Sequence, residues 1–217
     1  MNEHQTNSKS IFLLTPIFGI VTFLIIYLIA ASLYPGGSQI NKNSIGFSWA
    51  NNYWCNLLYD KAINGQQNPA KPVAMAGMFI LCVSLSFFWF LFPTHIQVSK
   101  KLKLAMQVFG PLSMVIAFLL FTNLNHDFII NLASVCGLIG VAGALVALYK
   151  IRCFGLFAFG IVNLLLVALN NFVYHTEGFI IYLPVVQKIT FVSFLLWIGC
   201  INITLYHRHR KHPPAIH

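Results

Sequence analysis

Six apolar stretches, each long enough to cross a bilayer as a helix, divide this 217-residue chain and leave little of it for anything else. A hydrocarbon core of about 30 Å needs roughly 20 helical residues. Windows of that kind run over about 11–34, 73–93, 104–124, 128–149, 153–174 and 183–206, and only the last contains a charge, Lys188. Lipid offers no partner to an unpaired peptide group, so such spans must be helices. Six short, unalternating runs cannot close a barrel.

Composition fits the bilayer as solvent. Charged residues make up 8% of the chain and hydrophobic residues 58%, whereas a soluble domain carries about 25% charged residues. The net charge of +9 would suggest nucleic acid in a soluble chain. Here the basic residues sit at the ends of apolar spans, where lipid headgroups are the natural counter-charge, so membrane lipids are the expected partner and nucleic acid is not.

The connections differ in charge. One side holds Lys9, Lys100, Lys101, Lys103, Lys150, Arg152, Arg208, Arg210 and Lys211, while the other holds Lys42, Lys61 and Lys71, all in one long loop. The positive-inside bias then places both termini in the cytoplasm of a multi-pass inner (plasma) membrane protein. The first stretch has Lys9 before it and Ala30, Ala31 and Ser32 near its end. Its apolar run exceeds the typical 7–15 residues of a signal peptide's core, so it reads as a retained anchor. Of five cysteines, Cys82, Cys136, Cys153 and Cys200 fall in or beside spans and only Cys55 faces the exterior. That distribution makes neither a disulfide framework nor a paired-cysteine metal motif.

The expected fold is an all-α membrane protein: one antiparallel six-transmembrane-helix bundle over residues 1–217, without a soluble domain. Small residues at Ala133, Gly137, Gly140, Gly143, Ala144 and Ala147 mark a close helix approach in the fourth span. Pro16 and Pro111 are expected to mark bends. The exterior loop 35–72 is bracketed by turn signals, Pro35-Gly36-Gly37 at one end and Asn64-Gly65 and Asn68-Pro69 at the other. Within it, 45–63 reads as a short amphipathic exterior helix, with Asn52, Asn56 and Asp60 on one face and Trp49, Tyr53, Trp54 and Tyr59 suited to the headgroup zone.

The acids are the most informative chemical feature. Apart from Glu3, they are Asp60, Asp127 and Glu177, all assigned to the exterior, and His126 and His175 join them there. Helical spacing continues these polar groups inward through Asn131 and Ser134 on the fourth span and Asn163, Asn170 and Asn171 on the fifth. Lys188 enters from the sixth. The expectation is an outward-facing polar pocket built from Asn52, Asp60, Asn131, Asn171, Glu177 and Lys188, roofed by the exterior segment.

Three chemistries suit such a pocket. It binds a lipid or another membrane subunit; it holds a divalent metal on His126, Asp127, His175 and Glu177, with His126, Asp127 and His175 as catalytic candidates of a metal-dependent lipid hydrolase; or it couples small-solute or proton transport through Lys188. In a purely structural network, Asp127 or Glu177 neutralises Lys188. No HExxH signature ties the metal candidates together, and no internal repeat supports alternating access.

The stretch Tyr34-Pro35-Gly36-Gly37-Ser38, then Asn52-Tyr53-Trp54-Cys55, Asn64-Gly65, Asn68-Pro69-Ala70 and Asn125-His126-Asp127, resembles small bacterial membrane proteins of the family called domain of unknown function 998. The likeness covers almost the whole chain and implies six spans, with no activity to carry over. A second comparison is with the membrane hydrolases that include alkaline ceramidases and adiponectin receptors, seven-helix proteins holding zinc on three histidines. Only His126 and His175 lie on the outer side here, and the paired histidine motif of a late helix is missing.

Overall fold

Helix boundaries in this chain follow hydrogen-bonding caps more closely than hydropathy. The structure, a computed structural model, describes residues 12–119 and 126–211. Six long helices cover the apolar stretches: α1 (Thr15–Leu33), α2 (Ala70–Leu91), α3 (Lys100–Phe118), α4 (His126–Lys150), α5 (Phe154–His175) and α6 (Leu183–Lys211). Each of the six regions is long and apolar enough to cross a membrane. α2 starts at Ala70, ahead of the expected 73, because the Asn68 side chain accepts the Ala70 amide at 3.1 Å. α3 starts at Lys100, where Ser99 Oγ accepts from the Leu102 amide at 3.3 Å. Both caps lie outside the apolar windows, so charged first turns are helical too.

Pro16 is the second residue of α1, which follows directly on a 3-10 turn at Phe12–Leu14. Pro111 lies inside a continuous helix, α3. Between α4 and α5, Arg152 takes a left-handed conformation at φ 56°. The Arg152 amide donates to the Tyr149 carbonyl at 3.0 Å and that of Cys153 to Leu148 at 2.9 Å. These two bonds close the helix end and turn the chain in a few residues.

The chain divides into two compact units. The first comprises Met1–Val21, Ile80–Gly160 and Leu196–His217. Its centre is Trp89 of α2, fully buried, with glycines of two helices against its ring. A Cβ on Gly110 of α3 would come within 2.2 Å of Trp89 Cγ, and one on Gly140 of α4 within 3.2 Å of the ring's far edge. Gly143 faces Met106 and Gly137 faces Ser113, while Ile116 packs with Ile129 and Cys136. The register of these contacts descends α4 as it ascends α3. Trp197 of α6 lies over Gly160, and its Nε1 donates to the Leu156 carbonyl at 2.8 Å. The small-residue row of α4 is thus where its neighbours come close.

The second unit comprises Thr22–Phe79 and Ile161–Leu195. Its core is aromatic. Phe23 and Tyr27 of α1 meet Trp54 of the long loop and Phe191 of α6, with ring centroids 4.3 to 6.0 Å apart. Gly77 of α2 lets Ile26 and Tyr27 approach; a Cβ there would sit 2.9 Å from Ile26 Cγ2. Large apolar side chains remain exposed along the helices, Leu165 at 65% for example. A water-facing helix would not tolerate such a run.

The exterior helix expected over 45–63 is instead a chain of turns with one five-residue 3-10 segment, Trp54–Leu58. The cause is local competition by asparagine. Asn52 Oδ1 accepts from the Ser48 amide at 2.9 Å and Asn56 Oδ1 from the Tyr53 amide at 2.7 Å. Each side chain satisfies a backbone donor that would otherwise bond a carbonyl one turn back.

Candidate functional site

The long loop folds as a cap because its backbone is satisfied by its own buried amides. Gly36 and Gly37 take left-handed conformations, and a side chain on Gly37 would strike the Asn64 amide at 2.4 Å. Gly36 pairs with Ile45, and Lys61 with Gln67, in isolated antiparallel bridges. Asn52, fully buried, donates through Nδ2 to the Gly37 carbonyl at 2.8 Å. Asn68 Nδ2 donates to the carbonyls of Asn56, Leu57 and Tyr59 at 3.2, 3.3 and 2.9 Å. Tyr34 Oη accepts from the Ile63 amide at 3.0 Å.

Lys188 joins this cap to α6. Its Nζ donates to the Asn52 carbonyl at 2.5 Å and to the Pro184 carbonyl at 2.7 Å, and lies 6.0 Å from the centroid of the Phe47 ring. Beside it, Gln187 Oε1 and Trp54 Nε1 are buried atoms without a hydrogen-bond partner among the described residues. A half-buried ammonium gives up part of its water; two carbonyl dipoles and a ring face take the place of that part.

The other expected pocket residues are exposed. Asp60 is 79% exposed in its side chain and pairs with Lys71 at 2.6 Å, the one ion pair among the described residues. Asn171 is exposed, with its amide turned back to the Val167 carbonyl at 3.0 Å. Glu177 and His175 are exposed, and the His175 ring stands edge-on to Tyr174 at 4.9 Å. Asn131 is exposed on α4, in the first unit. His126 and Asp127 open α4, but their side chains lie outside the described residues. Of the six pocket candidates, Asn52 and Lys188 share a hydrogen bond. Among the described residues, carbonyls rather than a carboxylate receive the lysine. Among the described residues there is no group of three or more His, Cys, Asp or Glu side chains placed to hold a metal.

Burial sets the cap's titration. Desolvation pushes the Cys55 thiol up to about 11, against a smaller opposing effect of hydrogen bonding with Tyr59 and of the nearby Lys188 charge. Desolvation also raises Tyr34 and Tyr53. Cys55 is a free thiol.

A groove borders the cap. Leu28, Ala31 and Ser32 at the end of α1 face Ile45, Gly46, Phe47 and Trp49 across a cavity of about 340 Å³. Ile45 is 98% exposed. Hydropathy cannot announce this feature, because it forms only where a turn of the loop returns to a helix end. Asn68, read as a turn residue, proves to be a buried anchor. Its only sequence signal is the following Pro69. No family model, no curated protein and no solved structure matches the chain.

Proposed function

We propose that this is a multi-pass protein of the inner (plasma) membrane that binds a lipid at its outer surface, in the groove between the end of α1 and residues 45–49. In this reading the six helices cross in alternating directions and both termini are cytoplasmic. The orientation rests on the nine Lys and Arg residues on one side against three on the other. The opposed register of α3 and α4 and the tight turn at Arg152 support alternation.

The single observation that carries the lipid reading is Ile45, an isoleucine almost wholly exposed on a loop whose other parts are pinned by buried amides. In water its side chain would forgo about 25 cal/mol for each Å² left bare. Next to an acyl chain that loss disappears. Phe47 and Trp49 beside it suit headgroup depth. The cap is a fixed wall for such a ligand. The hydrolase and transporter readings have no comparable observation: His175 and Glu177 lie on the surface, and Lys188 is engaged by backbone carbonyls.

The test is photo-crosslinking in intact membranes with a benzoyl-phenylalanine in place of Ile45. Lipid adducts are the expected product. Adducts to protein alone would replace the lipid with a partner subunit, and the absence of any adduct would remove the groove as a binding site.

A further inference from the structure

The groove's own turn carries an unmatched cation. Between Tyr34 and Ala70 the charges are Lys42, Asp60 and Lys61, and Asp60 is taken by Lys71 at 2.6 Å. Lys42 and Lys61 are exposed, and neither has a carboxylate partner among the described residues. Lys42 is the one tied to the groove. It sits in the turn held by hydrogen bonds from the Ser38 amide to the Asn41 carbonyl at 2.8 Å and from the Gly37 amide to the Ser44 carbonyl at 2.7 Å. The next residue, Ile45, lines the groove and pairs with Gly36. Two residues of braced backbone, Asn43 and Ser44, therefore separate the residue bearing an exposed ammonium from one that lines an apolar trough.

We infer that the groove selects an anionic glycerophospholipid, its acyl chain against Leu28, Ile45 and Trp49 and its phosphate at Lys42. This rests on the lipid-binding reading above and adds the charge of the headgroup. A zwitterionic lipid would fill the same apolar trough, but the cation of its own headgroup offsets the attraction between its phosphate and Lys42. An anionic one gains Coulomb attraction that salt screens within a Debye length of about 10 Å at 0.1 M. Serine and backbone groups of the same turn are engaged internally: Ser44 Oγ donates to the Asn41 carbonyl at 3.0 Å and Asn41 Oδ1 accepts from the Asn43 amide at 2.9 Å. The lysine is the turn's one charged side chain.

The experiment uses the full chain in phosphatidylcholine nanodiscs containing a brominated lipid, and reads the part of tryptophan quenching that is lost in Trp49→Phe. Brominated phosphatidylglycerol is expected to reach half-quenching at about fivefold lower mole fraction than brominated phosphatidylcholine at low salt, the ratio one lysine near a membrane surface supplies. Lys42→Gln should erase that difference while Lys61→Gln keeps it. Equal quenching by both lipids in the unaltered protein, or loss of the difference in Lys61→Gln alone, would overturn the headgroup assignment and leave lipid binding intact. Failure of both lipids to quench Trp49 would remove the groove as a lipid site altogether.

Discussion

The Lys188 ammonium donates to the backbone carbonyl of Asn52 at 2.5 Å, a contact across 136 residues of sequence. It links the first turns of α6 to a fully buried residue of the loop, and the same nitrogen bonds the Pro184 carbonyl one turn back on its own helix.

Removing that link should loosen the cap before the helices. Hydrogen bonds to a charged group contribute about 1.5–3 kcal/mol each, so Lys188→Met should speed chymotryptic cleavage within residues 53–58 by at least tenfold, with the helices retained by circular dichroism. Unchanged cleavage would mean that the cap holds without α6.

Asn68 is expected to be the least replaceable loop residue. Its amide donates toward three carbonyls, and its oxygen caps α2. Asn68→Ala leaves those groups unpaired and should cost about 1–3 kcal/mol. Asn68→Asp should cost more, since it turns a carboxylate toward carbonyl oxygens. Thermal unfolding of the detergent-solubilised protein ranks the two.

Gly110→Ala should destabilise the first unit, because the new methyl would lie 2.2 Å from Trp89 Cγ. Overpacking of this kind costs about 1–3 kcal/mol or more. Gly155→Ala, whose Cβ meets nothing within 4 Å, is the matched control. Equal melting of the two variants would show that Trp89 moves freely.

Cys55 should be a slow thiol. With its ionisation raised from 9.0 to about 11, the thiolate fraction at pH 8 falls about 100-fold below that of an unperturbed cysteine, and iodoacetamide labelling of a variant retaining only Cys55 should slow accordingly. The sign for stability follows from the neutral thiol being the native form. Stability is intact below about pH 9 and is lost as pH rises toward 11, a loss that Cys55→Ala should reduce. The raised Tyr34 and Tyr53 act in the same direction.

The helices were legible because each is marked by the apolarity of its own side chains, summed over about 20 consecutive residues. Their ends were less so. Ser99 and Asn68 extend α3 and α2 past the apolar windows by capping, which hydropathy ignores. The loop was misread for a related reason. The apolar and polar faces traced through Asn52, Asn56 and Asp60 assume a helix, and the asparagines that made the pattern are the groups that prevent it. Without that helix Asp60 has no reason to share a face with Asn52, and it turns to Lys71.

By itself, then, the order of residues determined the six apolar helices, the charge difference between their connections and the close approach along α4. Each of these is a property of neighbouring residues or of one helix face. Tertiary structure alone decided that Lys188 meets the Asn52 carbonyl, that Asn68 holds the cap, and that Leu28 and Ile45 line one groove. Those are contacts between distant segments, set by which buried polar groups can be satisfied together.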